Sequence, residues 1–169
     1  MDLKVSEINI FPIKSCGGLS LQNAEIVDTG FAHDREWMVV DEYGQFITQR
    51  QYPAMTLIQP SLSADSLALS APDHDRIAVP IQTDGKKMVV TVWESSCEAV
   101  DQGDGVAAWL SAFLGKPARL VRMAQDFKRT IKTKYQINGV GSVGFADSLP
   151  FLLISQASLD ELNGRLAHV

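Results

Sequence analysis

Apolar residues in this sequence come in short bursts separated by proline, glycine, aspartate and serine, and that spacing constrains the fold more than any other feature. Val5, Ile8 and Ile10 alternate with polar neighbours, so 3–13 reads as a strand running into Pro12. The stretch 19–27 reads as a second strand. Residues 35–41 are rich in β-branched and aromatic side chains, are closed by Glu42-Tyr43-Gly44-Gln45, and precede Phe46-Ile47-Thr48-Gln49-Arg50, which together make a hairpin signal. Shorter runs follow at Leu57-Ile58, Leu67-Ala68-Leu69, Ile77-Ala78-Val79 and 88–93. Many short strands in one chain predict a barrel or a sandwich.

One stretch departs from this rhythm. Val106, Trp109, Leu110, Phe113 and Leu114 recur at helical spacing over 104–114, Asp104 is placed to cap the N-terminus, and Gly115 and Pro117 end the helix. Trp109 and Phe113, four apart, read as core anchors. Residues 125–142 lack apolar periodicity and read as a long irregular connection. Phe151-Leu152-Leu153-Ile154 then reads as a buried strand, and Ser158-Leu159-Asp160-Glu161 as a capping box opening a helix through Leu162 and Leu166. The expected class is mainly β, α+β in detail, with one main helix near 104–114 and a second domain beginning near residue 145.

A chain of 169 residues with 46% hydrophobic content can carry one ordinary domain with a core, or one domain plus a piece of another. Its 15 Lys+Arg against 20 Asp+Glu leave a net charge of −5, which argues against nucleic-acid and anionic-membrane partners. Lys116, Arg119, Arg122, Lys128, Arg129, Lys132 and Lys134 nevertheless cluster against the lone acid Asp126; a solvated basic face and an anion-facing one both fit. The two cysteines offer neither a disulfide framework nor zinc spacing, so a reducing cytoplasmic setting is expected. The first residues lack the character of a signal peptide, and no run of about 18 apolar residues follows.

The turn Phe11-Pro12-Ile13-Lys14-Ser15-Cys16-Gly17-Gly18 presents an ammonium, a hydroxyl and a thiol together. An anionic ligand and a merely solvated turn both fit it, the glycines allowing close backbone approach. Arg35 and Arg50, near strand ends, would add guanidinium forks if one barrel mouth gathered all three cations. Gly139-Val140-Gly141-Ser142-Val143-Gly144 spells G-x-G-x-x-G but lacks the strand before and the helix after, so it reads as a linker or a loop near a ligand. His33, His74 and His168 assemble no Ser-His-Asp set, and neither a catalytic residue nor a metal ligand is assigned. Cys16 either packs the turn or acts as a nucleophile beside Lys14, whereas Cys97, between Glu94 and Glu98, reads as structural.

These residues form a pattern. Pro12-Ile13-Lys14-Ser15-Cys16-Gly17, Asp34-Arg35-Glu36-Trp37-Met38-Val39-Val40-Asp41, and Gly44-Gln45-Phe46-Ile47-Thr48-Gln49-Arg50 with Pro53 resemble the N-terminal β-barrel domain of MOSC proteins. Phe145-Ala146-Asp147-Ser148-Leu149-Pro150 and the residues up to Leu159 resemble the opening of the MOSC domain itself. The resemblance implies a barrel at 1–124, a connection at 125–144 and the incomplete start of a MOSC domain at 145–169. Bacterial iron–sulfur MOSC proteins and the mitochondrial amidoxime-reducing component are nearest in character. The implied protein is a molybdenum-cofactor oxidoreductase acting on small N-hydroxylated compounds, supplied by an electron-donor protein or domain; pyridoxal phosphate binding is a further attribute the family carries.

By the same resemblance, molybdopterin and its phosphate fall on Lys14, Ser15, Arg35, Asp147, Ser148 and Leu149, the last through backbone groups alone. The molybdenum-ligating cysteine and any domain with a 2Fe–2S cluster are expected beyond Val169, so the chain is expected to be an N-terminal fragment, inactive by itself. Two alternatives stand beside this: a barrel that recognises substrate or a partner without touching cofactor, and a sulfur carrier using a Cys16 persulfide. Lys14 and Arg35 at opposite ends of the barrel would exclude shared cofactor binding.

Overall fold

The computed structural model describes residues 4–81, 85–136 and 139–166. His168 lies outside them. The chain runs β1 (Ile8–Ile10), β2 (Leu19–Leu21), β3 (Ile26–Val27), β4 (Gly30–Phe31), β5 (Trp37–Val40), a 3-10 turn (Pro53–Leu57), β6 (Gln59–Leu62), β7 (Ser66–Ala71), β8 (His74–Pro80), β9 (Lys87–Val92) and β10 (Ser95–Asp101). Then come α1 (Asp104–Leu114), β11 (Arg119–Met123), a 3-10 turn (Thr133–Tyr135) and α2 (Gln156–Arg165). The fold is mainly β with two helices, as expected. Its strands form four antiparallel sheets, β1-β2, β3-β4, β5-β11-β10-β9 and β6-β7-β8, and the described strands do not close into one barrel.

All four residues of β5 are fully buried, because apolar side chains cover both of its faces. Trp37 and Val39 meet Leu120, Ile58, Leu69 and the α1 residues Val106 and Leu110 on one side. Met38 and Val40 meet Val90, Val92, Val121 and Phe145 on the other. Each such side chain contributes about 1.5–3 kcal/mol on burial, so this strand anchors two cores at once. It also explains the uninterrupted apolar run Trp37-Met38-Val39-Val40, since a strand covered twice has no polar face to alternate with.

The expected hairpin at 35–50 forms its turn, but its second arm pairs only through single bridges. Ile47 N donates to Val39 O at 3.1 Å, while Phe46 N donates to Thr91 O and Thr91 N to Gly44 O. The arm lies between β5 and β9, so its backbone groups are divided between two neighbours and no continuous ladder develops. The stretch read as one strand over 19–27 is split into β2 and β3, and Leu57 closes a 3-10 turn begun by Pro53. β10 and β11 were not anticipated. Arg119 and Arg122 disguise β11, whose charges are met by Asp101, Asp104 and Glu36.

Helix α1 has the expected bounds and ends at Gly115 in the left-handed region, φ 67°. Asp104 does not cap it: Gly103 is the capping position and makes no side-chain bond, while Asp104 pairs with Arg119 across 2.8 Å. Trp109 and Phe113 stack at 5.7 Å between centroids beside His74 and pack against the core. The connection after β11 is irregular among its described residues, tied by Ile131 N to Gly141 O and Val143 N to Arg129 O.

Two expectations fail near the end. Residues 151–154 form no strand, and Leu152 and Leu153 are 85% and 91% exposed, because no described strand lies beside them to accept their backbone bonds. Helix α2 starts at Gln156, not after Ser158: Ser155 is extended and its hydroxyl accepts the Ser158 amide at 3.1 Å, capping one turn earlier than the predicted box.

Candidate functional site

Three segments build the site, and the backbone welds two of them together. Trp37 N donates to Pro12 O at 3.0 Å, Lys14 N to Trp37 O at 2.9 Å, and Arg35 N to Phe11 O at 2.8 Å. The Pro12 turn therefore runs alongside the start of β5, with Ile13 bridging Trp37 in parallel. The buried Asp34 carboxylate completes the junction by accepting the Phe11 amide at 2.7 Å. The third segment arrives through Phe145 N, which donates to Arg35 O at 2.7 Å. A Cβ on Gly144 would stand 2.7 Å from Arg35 O, so glycine is required by backbone approach at that point.

Gly17 and Gly18 serve a different purpose from the one expected. A Cβ on Gly17 would meet the Gln59 side chain and one on Gly18 the Phe11 ring, so both glycines accommodate the protein's own side chains. Two site candidates have left-handed backbone, Ser15 with φ 69° and Arg35 with φ 49°, as do His33, Asp73 and Trp93. Non-glycine residues in the left-handed region cost about 1–3 kcal/mol and cluster at binding sites.

Lys14, Ser15, Arg35, Asp147, Ser148 and Leu149 all line one cavity of about 620 Å³. The structure thus brings every predicted site residue together and leaves none elsewhere. Lys14 and Arg35 share that cavity, so the arrangement that would have excluded shared binding does not occur. Arg50, Trp93, Thr48 and Tyr135 complete its mouth.

The charges are interlocked. Lys14 Nζ pairs with Asp147 Oδ1, which also accepts the Trp93 indole N–H at 3.0 Å. Burial lowers the Lys14 pKa, Asp147 opposes that, and the neighbouring Arg129 and Arg35 charges lower it further. Burial pushes Asp147 up, yet its bonds to Lys14 and Trp93 and the charge of Arg50 outweigh this and hold it below the usual carboxylate value. The two ends of the pair differ because the lysine side chain is 7% exposed and the carboxylate 54%. Arg35 spans from Asp34, at 2.5 Å, to the Pro150 carbonyl at 3.0 Å. Burial raises the Asp34 pKa against the Phe11 amide and Arg35.

Arg129 was read only as part of a basic run, and it supports the site from behind. Its buried guanidinium donates to the carbonyls of Gly144 and Ala146, at 2.9 and 2.5 Å, which fixes the backbone that presents Asp147. Most of the remaining run is held by the chain's own groups: Lys128 by Asp28, Lys132 by Glu94, Arg122 by Glu36 and the Trp37 ring. The anion-facing reading of that run as a whole is therefore replaced by one internal cation. Nothing in 116–134 signals Arg129 by sequence, since its carbonyl partners carry no side-chain signature.

Cys16 is 5% exposed and burial pushes its thiol pKa up strongly, the opposite of an activated nucleophile. Cys97 is buried in the second core; burial raises its pKa more than the Arg129 charge lowers it, so burial and not the acidic neighbours governs it. His33 bonds Glu36 at 2.8 Å, and His74 packs edge-on to Trp109 and Phe113. Among the described residues no group of His, Cys, Asp and Glu is arranged to hold a metal, and no helix is long and apolar enough to cross a membrane.

The chain is similar to known proteins along nearly all of its length. The chain is 34% identical over 177 residues to mitochondrial amidoxime-reducing component 1 of Mus musculus, covering 96% of the chain and 50% of the relative. It is 37% identical over 173 residues to mitochondrial amidoxime reducing component 2 of Rattus norvegicus, covering 96% and 51%. It is also 33% identical over 171 residues to the molybdenum cofactor sulfurase of Danio rerio, covering 97% of the chain and 21% of that protein. The chain thus spans about half the length of the amidoxime-reducing components and about a fifth of the sulfurase. A solution structure from Bordetella bronchiseptica shares the fold, with a TM-score of 0.50 and 24% identity over 63% of this chain and 92% of that one. The MOSC N-terminal beta barrel domain matches residues 2–117, and the chain belongs to that family.

Proposed function

We propose that this chain is the cofactor-holding N-terminal part of a molybdenum-cofactor oxidoreductase that reduces small N-hydroxylated compounds. The observation that carries the reading is the convergence of Lys14, Ser15, Arg35, Asp147, Ser148 and Leu149, drawn from three stretches of chain, around one cavity. The similarity to amidoxime-reducing components and to molybdenum cofactor sulfurase supports the cofactor and the substrate class.

The residues fit such a group. Molybdopterin carries a phosphate, and the charged form of Lys14 is disfavoured by burial and by Arg129 and Arg35, so an incoming anion is the complementary charge. Lys14 and Arg35 would bind the phosphate, the Ser15 and Ser148 hydroxyls would donate to it, and Leu149 would offer backbone groups. Asp147, ionised at neutral pH, holds the Lys14 ammonium and the Trp93 indole in place. A cavity of about 620 Å³ is of the size that takes a small organic ligand. Bound there, the cofactor would supply the two-electron removal of oxygen from an N–OH group.

By the resemblance, the molybdenum-ligating thiolate would come from a part of the MOSC domain outside these residues, with residues 145 onward opening that domain; Cys16 and Cys97 are both buried. The exposed apolar residues Leu152, Leu153 and Ile154 fit that view. Electrons would come from a donor protein or from a 2Fe–2S domain, and a cytoplasmic setting suits the thiols. The buried Cys16 speaks against sulfur carriage.

Arg35→Ala in the full-length protein tests the reading. Molybdenum per protein, measured by mass spectrometry, is expected to fall about tenfold, in keeping with the loss of one charge-assisted contact. Unchanged occupancy overturns it. The 169-residue chain alone is expected to reduce no amidoxime.

A further inference from the structure

Asp147 meets two cations of the cavity through different oxygens. Its Oδ1 takes Lys14 and the Trp93 indole, while Oδ2 faces Arg50 Nη2 at 3.8 Å, beyond hydrogen-bond reach. Arg50 is the cation of this mouth whose guanidinium has no hydrogen-bonded acceptor among the described residues, and its side chain is 70% exposed. It is nonetheless ordered by position, with its central carbon over the Trp93 ring at 5.6 Å. Cation–ring contact constrains the guanidinium and leaves its edge donors available.

Trp93 is itself unusual. It occupies the tight turn between β9 and β10 with φ 54°, a conformation costly for a bulky side chain, and it remains 40% exposed. Phe46 packs against it at 4.9 Å between centroids, and its N–H is tied to Asp147. A strained, exposed, doubly fixed aromatic next to a solvent-facing guanidinium with no hydrogen-bonded acceptor among the described residues puts a ring and a fork in one place. Tyr135 and Phe151 line the same cavity, so the surroundings are aromatic.

We propose that Arg50, held over Trp93, is a specificity residue that reads a carboxylate on a flat aromatic substrate of this site. The inference rests on the reading above for the substrate's being reduced, but the fork is independent of any cofactor. Planar guanidinium matches carboxylate with two parallel bonds, and Arg50 meets a different oxygen of Asp147 from the one that holds Lys14, although both cations lie near the Trp93 ring.

Benzoate, its neutral isostere benzamide, and inorganic phosphate are the probes, titrated into the 169-residue chain with tryptophan fluorescence as the signal. The wild type is expected to bind benzoate at least about tenfold tighter than benzamide, in line with a charged bidentate contact. Arg50→Gln is expected to abolish that preference and Arg50→Lys to restore only part of it, with phosphate affinity within about twofold of wild type in both. Equal binding of benzoate and benzamide by the wild type overturns the proposal, as does a preference retained in Arg50→Gln. A loss of phosphate affinity matching the loss for benzoate also overturns it, since Arg50 would then belong to the phosphate side. None of these results bears on the molybdenum content of Arg35→Ala, so the two readings fail separately.

Discussion

Lys14 and Asp147, separated by 133 positions, form an ion pair in which the ammonium is buried and the carboxylate faces the cavity. The pair ties the Pro12 turn to the segment after the irregular connection, and its asymmetry has consequences for stability and binding.

Lys14→Met is expected to leave stability within about 1 kcal/mol of wild type or raise it slightly, because it removes a desolvated charge while the unpaired carboxylate stays hydrated. The same change in the full-length protein is expected to lower cofactor content about tenfold. Urea denaturation and metal analysis on one preparation check both; a stability loss of about 3 kcal/mol would make the pair structural.

Asp147 has a depressed pKa in the folded state, so its contribution to stability is fully present above the unfolded value of about 3.9 and is lost as pH falls through the folded value. The stability difference between wild type and Asp147→Asn should therefore be constant above about pH 5 and shrink below about pH 4. A difference that grows on acidification contradicts this sign.

Gly144→Ala places a methyl group against Arg35 O, a backbone atom that cannot rotate away. Overpacking of this kind costs about 1–3 kcal/mol, read as a drop of about 2–12 °C in Tm for a chain of this size. Faster amide exchange at Phe145, whose N–H bonds the same oxygen, should accompany it; unchanged exchange would show that the junction yields elsewhere.

Cys16 should react with iodoacetamide at pH 8 at least about a hundredfold more slowly than free cysteine, since burial both raises its pKa and blocks access. In urea the rate should rise to the free value. Reaction within tenfold of free cysteine in the native protein would restore sulfur carriage as a reading.

The site was legible where one residue's chemistry suffices to mark it. Lys14 and Ser15 in a proline turn and Arg35 after Asp34 are short polar groupings set in apolar context, whereas Asp147, Ser148 and Leu149 were marked only by the family resemblance. Trp93 and Arg129 were not legible as site residues, because one owes its place to a strained turn and the other to carbonyl oxygens that every residue type carries.

Local pattern also determined helix α1, whose spacing and Gly115 stop are written within residues 104–115, and the repeated strand rhythm that makes the fold mainly β. Tertiary structure alone decided the rest. Whether 151–154 pairs depends on a neighbouring strand, whether Arg122 is buried depends on Glu36 and Trp37 lying across from it, and whether Arg50 joins Lys14 depends on how Trp93 and Asp147 meet. Backbone bonds and charges are satisfied by partners distant in sequence, and no local pattern encodes which partners those are.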